Sequence, residues 1–487
     1  MDEHSGGLSM RLSRRFVLFV LVTLTFGLAH AEAPKTVPAL FVSDIHFDPF
    51  HDPDRVKELV AAPVAQWAKL LAAPDSGNQA TAFKSLQETC HARGVDTPYA
   101  LLDSALNAMH ERQPDAKFMI VSGDLISHAF TCRYSTLFPK AAAGDYEAFV
   151  VKTIGFVVSQ LRNTFPGVPV YVALGNNDSG CGDYKLDANS TFFAQTGPVI
   201  AEALPASQRK QAVEEFKPGG YYSIQMAEPM HGVRLIALND NLMSTKYTTC
   251  AGQPDPAPAA QELAWLQAQL AAARAAHQKV WVFGHVPTGI DPYSTVAKGR
   301  NVCAGKSPSE FLATDHMADT LADAADVVRL GIFGHTHMDE MRLLTRDGEA
   351  GSAPKQVPIK VVPSISPVNG NIPSFTVARV NPTAADLIDY DVVEASNQTG
   401  VGTTWKTEYN YAATYNEPDF GAAALTQLIA GFKADPKAAT PASAAYIHNY
   451  FIGDMSRELS PFWPEYVCAV GNYTAKNFAA CVCAAAK

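Results

Sequence analysis

The chain has 487 residues, with 38 Lys and Arg against 48 Asp and Glu, a net charge of −10. An acidic chain without a clustered basic run excludes a grip on the phosphate backbone of DNA or RNA. At 47% hydrophobic and 18% charged residues, the composition is globular rather than disordered, and no internal repeat is found.

The N-terminus carries Arg11, Arg14 and Arg15, an apolar run from Phe16 to Leu28, and then Ala29-His30-Ala31. This pattern predicts an export signal over residues 1–31, cleaved after Ala31. The apolar run, roughly 13 residues, is short of the about 20 that a membrane span takes, and no later stretch reaches that length. Ser13-Arg14-Arg15-Phe16 also resembles the opening of a twin-arginine signal, with Sec export equally open. An extracytoplasmic location, periplasmic or secreted, follows from this reading. Export makes Cys90, Cys132, Cys181, Cys250, Cys303, Cys468, Cys481 and Cys483 disulfide partners, an even set that fits four bridges with the pairing left open. Glycosylation sequons start at Asn189, Asn397 and Asn472.

Short apolar runs rich in Val, Ile and Phe read as buried strands: Ala39–Val42, Phe118–Val121, Val168–Leu174, Val233–Leu238, Val280–Phe283, Val327–Phe333 and Ile359–Val362. Between them, Thr97 reads as a helix N-cap with Pro98 at the first helical position, and Leu101, Leu102, Ala105, Leu106 and Met109 form one apolar face. Gln261 to His277 is a second helix, with Leu263, Leu266 and Leu270 on one stripe. Strands alternating with helices predict a layered α/β domain over residues 37–395. Pro49–Asp96, Thr245–Pro258 and Asp291–Pro308 read as insertions over its core. Residues 401–487 change character and are expected to form a helical, Cys-containing C-terminal cap.

Five of the predicted strands run into polar clusters of one type. They are Ser43-Asp44-Ile45-His46, Gly123-Asp124 followed by Ser127-His128, Gly175-Asn176-Asn177-Asp178, Gly284-His285, and Gly334-His335-Thr336-His337. Strand C-terminal ends are where α/β folds place ligands, and the adjoining glycines let the backbone turn sharply. Each cluster alone is a common loop, but five in order after core strands share one purpose. Imidazole with carboxylate and amide oxygen suits Zn²⁺ first, with Fe or Mn²⁺ as alternatives, and argues against Ca²⁺. A central carboxylate can bridge two such ions roughly 3.5–4 Å apart, and a pair of that kind binds phosphate oxygens and generates hydroxide near neutral pH.

The order of these motifs resembles the calcineurin-like metallophosphoesterase superfamily, in particular its acid-sphingomyelinase-like phosphodiesterase branch. Thr97-Pro98-Tyr99-Ala100-Leu101-Leu102, Pro363-Ser364-Ile365-Ser366-Pro367 with Asn371-Ile372-Pro373-Ser374-Phe375, and the tail from Tyr466-Val467-Cys468 to Cys481 resemble the branch more loosely. The resemblance implies an α/β fold in which a two-sheet β-sandwich is flanked by helices. It implies one ion held by Asp44, His46 and His337, another by Asn176, His285 and His335, and Asp124 as the bridge. His128 matches a histidine that the branch places near the leaving group. The branch usually has Gly-Asn-His, whereas this chain has Asn177 in the histidine's place, and Gly-Asn-Asn-Asp is similar to endopolyphosphatases of the same superfamily. Only a few residues separate the expected cleavage point from the first strand, which leaves no room for a saposin-like lipid-presenting domain. The expected function is an exported dinuclear phosphodiesterase hydrolysing a soluble phosphoester by attack of metal-bound hydroxide. A polyphosphatase or phosphomonoesterase and an inactive phospholigand-binding protein are the alternatives. The substrate class is a small phosphoester or phosphoanhydride, and the oligomeric state is left open.

Overall fold

Twelve strands form two mixed sheets among the described residues of a computed structural model, which are 35–348, 352–453 and 459–485 with positions 1, 4, 6 and 7. The apolar run and cleavage site of the expected export signal, residues 16–31, lie outside them. In chain order the strands are β1 (Val37–Val42), β2 (Met119–Ser122), β3 (Val170–Ala173), β4 (Tyr222–Gln225), β5 (Val233–Ala237) and β6 (Lys279–Phe283). They continue as β7 (Val328–Phe333), β8 (Glu340–Arg346), β9 (Lys355–Val361), β10 (Ser374–Asn381), β11 (Asp386–Ala395) and β12 (Trp405–Asn410). The first sheet has the order β12-β11-β10-β1-β2-β3 and the second β4-β5-β6-β7-β9-β8. Strands β1, β2 and β3 run parallel in the first sheet, as do β5, β6, β7 and β9 in the second.

These parallel central strands are the ones that read as continuous apolar runs, because both of their faces are buried. Trp281 of β6 reaches into the space between the sheets, with Phe41 of β1 and Phe118 edge-on at 6.1 and 5.8 Å between ring centres. The Tyr222 hydroxyl joins the sheets across the other end, donating to Val172 O at 3.0 Å and accepting from Val172 N at 3.1 Å. The alternate residues Val280 and Val282 face the other way, into a second apolar cluster with Leu266 and Leu270 of the helix Ala257–Ala275 and Leu321 of the helix His316–Asp323. Helices Tyr99–Arg112 and Ala143–Thr164 pack into the core that contains the first sheet. The architecture is a β-sandwich between helical layers. Among the described residues no helix is long and apolar enough to cross a membrane.

Three details differ from the sequence reading. The N-cap expected at Thr97 falls on Pro98. The backbone of Thr97 instead bridges to the first motif, with Thr97 N donating to His46 O at 3.1 Å and Asp48 N to Thr97 O at 2.8 Å. Strands β4, β8, β11 and β12 are interrupted by charged or polar residues, as in Asp386-Leu387-Ile388-Asp389-Tyr390-Asp391, so they show no long apolar run. Finally, β12 lies inside the segment expected to be a helical cap, yet it is the outermost strand of the first sheet. The helical part begins at Tyr411 and includes Ala422–Lys433, Pro441–Tyr450, Trp463–Gly471 and Ala475–Ala485. All eight cysteines are bridged, as Cys90–Cys132, Cys181–Cys250, Cys303–Cys483 and Cys468–Cys481. The last two fasten the final helix, Ala475–Ala485.

Candidate metal centre

The register of the first sheet aligns β1, β2 and β3 so that their C-terminal ends lie side by side, with Val42 opposite Val121 and Ser122 opposite Ala173. The loops that follow are laced together through the backbone. Asp44 N donates to Gly123 O at 3.1 Å, His46 N to Asp124 O at 2.8 Å and Phe47 N to Leu125 O at 2.8 Å. The second sheet contributes across the sandwich: His285 Nδ1 lies 2.7 Å from Ser122 O, and His335 N donates to Asp44 Oδ2 at 3.0 Å. A Cβ at Gly175 would run into the Asp124 carboxylate, and one at Gly334 into the Ser43 hydroxyl. Glycine is required at both places by close approach.

Backbone conformation marks the same residues. Asp44, His46, Asp124, His335 and His337 all have positive φ, between 44° and 74°. The left-handed region costs a non-glycine residue roughly 1 kcal/mol or more, so this concentration shows a backbone held against its local preference by its surroundings.

The side chains converge as the sequence order implied. Asp124 Oδ2 lies 3.3 Å from His46 Nε2 and 3.2 Å from His285 Nε2, between the two halves of the cluster. On one side, Asp44 Oδ1 is 3.7 Å from His46 Nε2 and 3.4 Å from His337 Nε2. On the other, Asn176 Oδ1 is 3.0 Å from His285 Nε2. His335 is nearer the rim: its ring is 5.1 Å from that of His285, and its Nε2 meets the Tyr184 hydroxyl at 3.1 Å. Asp44 Oδ1 and His46 Nε2 are buried without a hydrogen bond among the described residues. Leaving such atoms unpaired costs about 1–3 kcal/mol each, and two of them aimed at one point fit a cation.

The electrostatics agree. Burial alone would lower the imidazoles, but the surrounding carboxylates, Asp124 foremost, together outweigh it and raise His46 to about 9 and His285 to about 10. His337 is pushed down to about 3, chiefly by burial, which leaves a neutral imidazole of the kind that ligates metals. The donor set fits a pair of divalent transition-metal ions.

Three carboxylates around the centre were given no role by the sequence reading, although Asp178 stands in its third motif. Asp178 accepts from Gly175 N, Leu125 N and Ile126 N at 2.8–3.1 Å, tying two ligand loops together. Asp240 does the same for the fourth motif, accepting from His285 N and Val286 N, both at 2.9 Å. Burial raises both carboxyls to about 7, with Asp124 adding to the shift at each. Asp96 holds His128 and belongs to a segment that read as an insertion. A single acidic residue in a turn carries no sequence signal that separates it from others.

His128, and Asn177 in the place of the branch's histidine, have different settings. His128 stacks on His46 at 3.9 Å between ring centres, and it forms with His46 and His337 a group whose ring nitrogens lie within 4.8 Å of one another. Asn177 turns toward the bridge: its backbone N donates to Asp124 Oδ1 at 2.8 Å and its Nδ2 to Oδ2 at 2.9 Å.

Beneath His128, Arg133 is fully buried, donating to Asp48 at 2.6 Å and to Gln87 at 2.7 Å. Arg133→Ala is expected to lower stability by about 3–5 kcal/mol, because it strands a buried Asp48 charge. Urea unfolding of the metal-loaded protein measures this, and a loss under about 1 kcal/mol would contradict the burial of the pair.

Comparison with known proteins gives the geometry a lineage. The chain is 24% identical over 494 residues to cyclic GMP-AMP phosphodiesterase SMPDL3A of Mus musculus, covering 97% of this chain and 99% of that one. It is 25% identical over 406 residues to acid sphingomyelinase-like phosphodiesterase 3b of Homo sapiens, covering 80% of each. A crystal structure of a dimetal phosphatase from Danio rerio aligns at a TM-score of 0.38 and 12% identity, over 77% of this chain and 99% of that one. The calcineurin-like phosphoesterase family model matches residues 37–339, a span that contains β1 to β7 and every side chain of the cluster. By that match the chain belongs to the calcineurin-like phosphoesterase family and is a metal-dependent hydrolase of phosphoric esters.

Proposed function

We propose that the protein is an exported phosphodiesterase whose two ions are held by Asp44, His46 and His337 on one side and Asn176, His285 and His335 on the other, with Asp124 shared. The observation that carries the reading is the position of Asp124 Oδ2, within 3.3 Å of one imidazole from each half. Zinc is the metal of choice for this nitrogen-rich set. Bound ions supply a nucleophilic water and neutralise charge on the phosphate oxygens. The chain's own residues do the rest. Asn177 holds the shared carboxylate in place, and His128 stands beside the centre with its side chain one-third exposed, 33%, where it can protonate a departing alkoxide. Both relatives carry phosphodiesterase in their names, and four disulfides with no free cysteine support an oxidising compartment outside the cytoplasm.

The test is a substrate panel on zinc-reconstituted protein: a bis-aryl phosphate, an aryl phosphate, a nucleoside triphosphate, a phosphocholine lipid and long-chain polyphosphate. The diester is expected to turn over fastest. Absence of turnover on all five would favour a phospholigand-binding protein. A phosphoanhydride reading has one observation in its favour, since both amide donors of Asn177 point at Asp124 and position 177 offers no acid. Asn177→His separates the two readings. A gain on alkyl diesters supports the phosphodiesterase, whereas flat diester turnover with falling polyphosphate cleavage supports the alternative.

A further inference from the structure

Tyr184 touches two residues of the Asn176 side of the centre at once. Its backbone N donates to Asn176 O at 2.9 Å, and its hydroxyl meets His335 Nε2 at 3.1 Å. The residue is buried and has a φ of 56°, in the left-handed region, so its surroundings hold it there against local preference. Residues 244–250 supply that hold. Leu186 N donates to Thr248 O and Thr248 N to Tyr184 O, both at 3.1 Å, and the Tyr247 hydroxyl donates to Leu186 O at 3.0 Å. The Cys181–Cys250 bridge fastens the two segments covalently. This lacing carries Lys246 onto the tyrosine. Its Nζ lies 4.8 Å from the ring centre and donates to the Tyr184 hydroxyl at 3.4 Å, two hydrogen bonds away from His335 Nε2.

A lysine over an aromatic ring is a common surface contact, and two observations set this one apart. The ring belongs to the wall of the metal centre rather than to open surface. The ammonium also has no carboxylate of its own: it is exposed, and among the described residues Lys246 forms no salt bridge. Asp183 feels its charge, but the Asp183 Oδ1 is taken by Asn176 Nδ2 at 2.7 Å. In a chain of net charge −10, an unpaired cation at the rim of the centre draws anions to that place. An ammonium on a rotatable stem binds as a point charge, which suits the tetrahedral oxygens of a phosphoryl group, whereas a planar carboxylate is better matched by an arginine fork. We propose that Lys246, laid over Tyr184, is a subsite for a second phosphoryl group beside the one hydrolysed, and that it makes the enzyme selective for esters that carry one. The proposal rests on the reading of the centre as a phosphodiesterase.

The experiment uses the zinc-reconstituted full chain and two nitrophenyl esters of one nucleoside, built on its monophosphate and on its diphosphate. Both release nitrophenolate, and only the second carries a neighbouring phosphoryl group. Lys246→Met keeps the stem and removes the charge. It is expected to lower kcat/KM on the diphosphate ester by roughly 10–100-fold, mainly through KM, and on the monophosphate ester by less than about twofold, with zinc content retained. Lys246→Arg, which keeps the charge, should lose less. Lys437→Met removes the same charge from an exposed position between helices Ala422–Lys433 and Pro441–Tyr450 and should change neither ester. Long-chain polyphosphate is the third substrate. A Lys246-dependent loss on the diphosphate ester supports a nucleotide source for the second group, and a loss on polyphosphate alone supports the subsite with an inorganic source. Unchanged turnover of all three substrates, equal losses on the two esters, or an equal effect of Lys437→Met would overturn the proposal. Calorimetry needs no turnover: methylenebisphosphonate should bind the zinc-loaded protein more tightly than methylphosphonate, and Lys246→Met should erase the difference. If the wild type cleaves neither ester, the phosphodiesterase reading fails, and calorimetry decides the subsite by itself. A preference for the bisphosphonate that survives Lys246→Met would refute it.

Discussion

Replacing Asp124 with alanine is expected to lower turnover of every phosphoester by on the order of 10⁴-fold and to strip metal from the protein. The magnitude follows from its place between the two halves of the cluster. Its Oδ2 is 3.3 Å from His46 Nε2 and 3.2 Å from His285 Nε2, so no other single change removes a donor from both sides at once. The same carboxylate receives both amide donors of Asn177, which the variant leaves without a partner. Burial by itself would raise the Asp124 pKa, but His285 and His46 outweigh it and hold the group well below the usual carboxylate range. The side chain is therefore a fixed negative charge to which ions can be added. Metal analysis by mass spectrometry and a diesterase assay on the same preparation decide the matter. Full activity with full metal content would place the bridge elsewhere. Removing Asp44 or His337 instead should cost less metal, because each contributes to one side only.

The second large effect belongs to His128. His128→Gln is expected to slow hydrolysis of an alkyl or sugar phosphodiester by roughly 10²–10⁴-fold, the reach of general acid catalysis, and to leave a nitrophenyl ester almost unaffected. An alkoxide leaves with difficulty unless it is protonated, whereas a nitrophenolate needs no help. Among the described residues of the cluster no other histidine is placed for this role. His46, His285 and His337 are buried within the cluster, His335 faces Tyr184, and position 177 is an asparagine. Equal losses on both esters would mean that His128 positions the phosphate or supports the ions. Unchanged rates on both would leave it a packing residue on His46.

The contrast between Asp124 and Asp96 shows what could be read from the chain. Asp124, His46 and His285 follow strands buried on both faces, and such strands announce themselves as unbroken apolar runs such as Val280-Trp281-Val282-Phe283. A ligand-type side chain after each run, with a glycine beside it in all but the first, made the centre legible from local pattern alone. Four bridges from eight cysteines in an export context were legible for the same reason, since parity needs no coordinates.

Strands β8, β11 and β12 were invisible because charged residues interrupt them, and their burial depends on partners far away in the chain. Glu340 and Arg342 of β8 are buried because Arg342 donates to Glu340 at 2.8 Å and to Ile290 O at 2.8 Å, and Tyr450 donates to Glu340 at 3.2 Å. Lys360 of β9 is buried on Asp339 and over the Tyr390 ring. No local pattern encodes such pairings.

The sequence by itself determined which residue types form the centre and in what order, because metal-ligand chemistry and strand burial are both local properties of the chain. Only the tertiary structure decided how those residues are held. Asp96 lies 32 positions from His128, Ser366 lies 270 from Asp96, and His335 lies 291 from Asp44. Contacts of that separation are set by how two sheets stack and how insertions fold back over them. The bridges were countable in advance, but the pairing of Cys303 with Cys483, 180 positions apart, depends on where the final helix packs. The physical reason is the same throughout: a side chain's identity states what it can bind, while packing across the sandwich determines which partner reaches it.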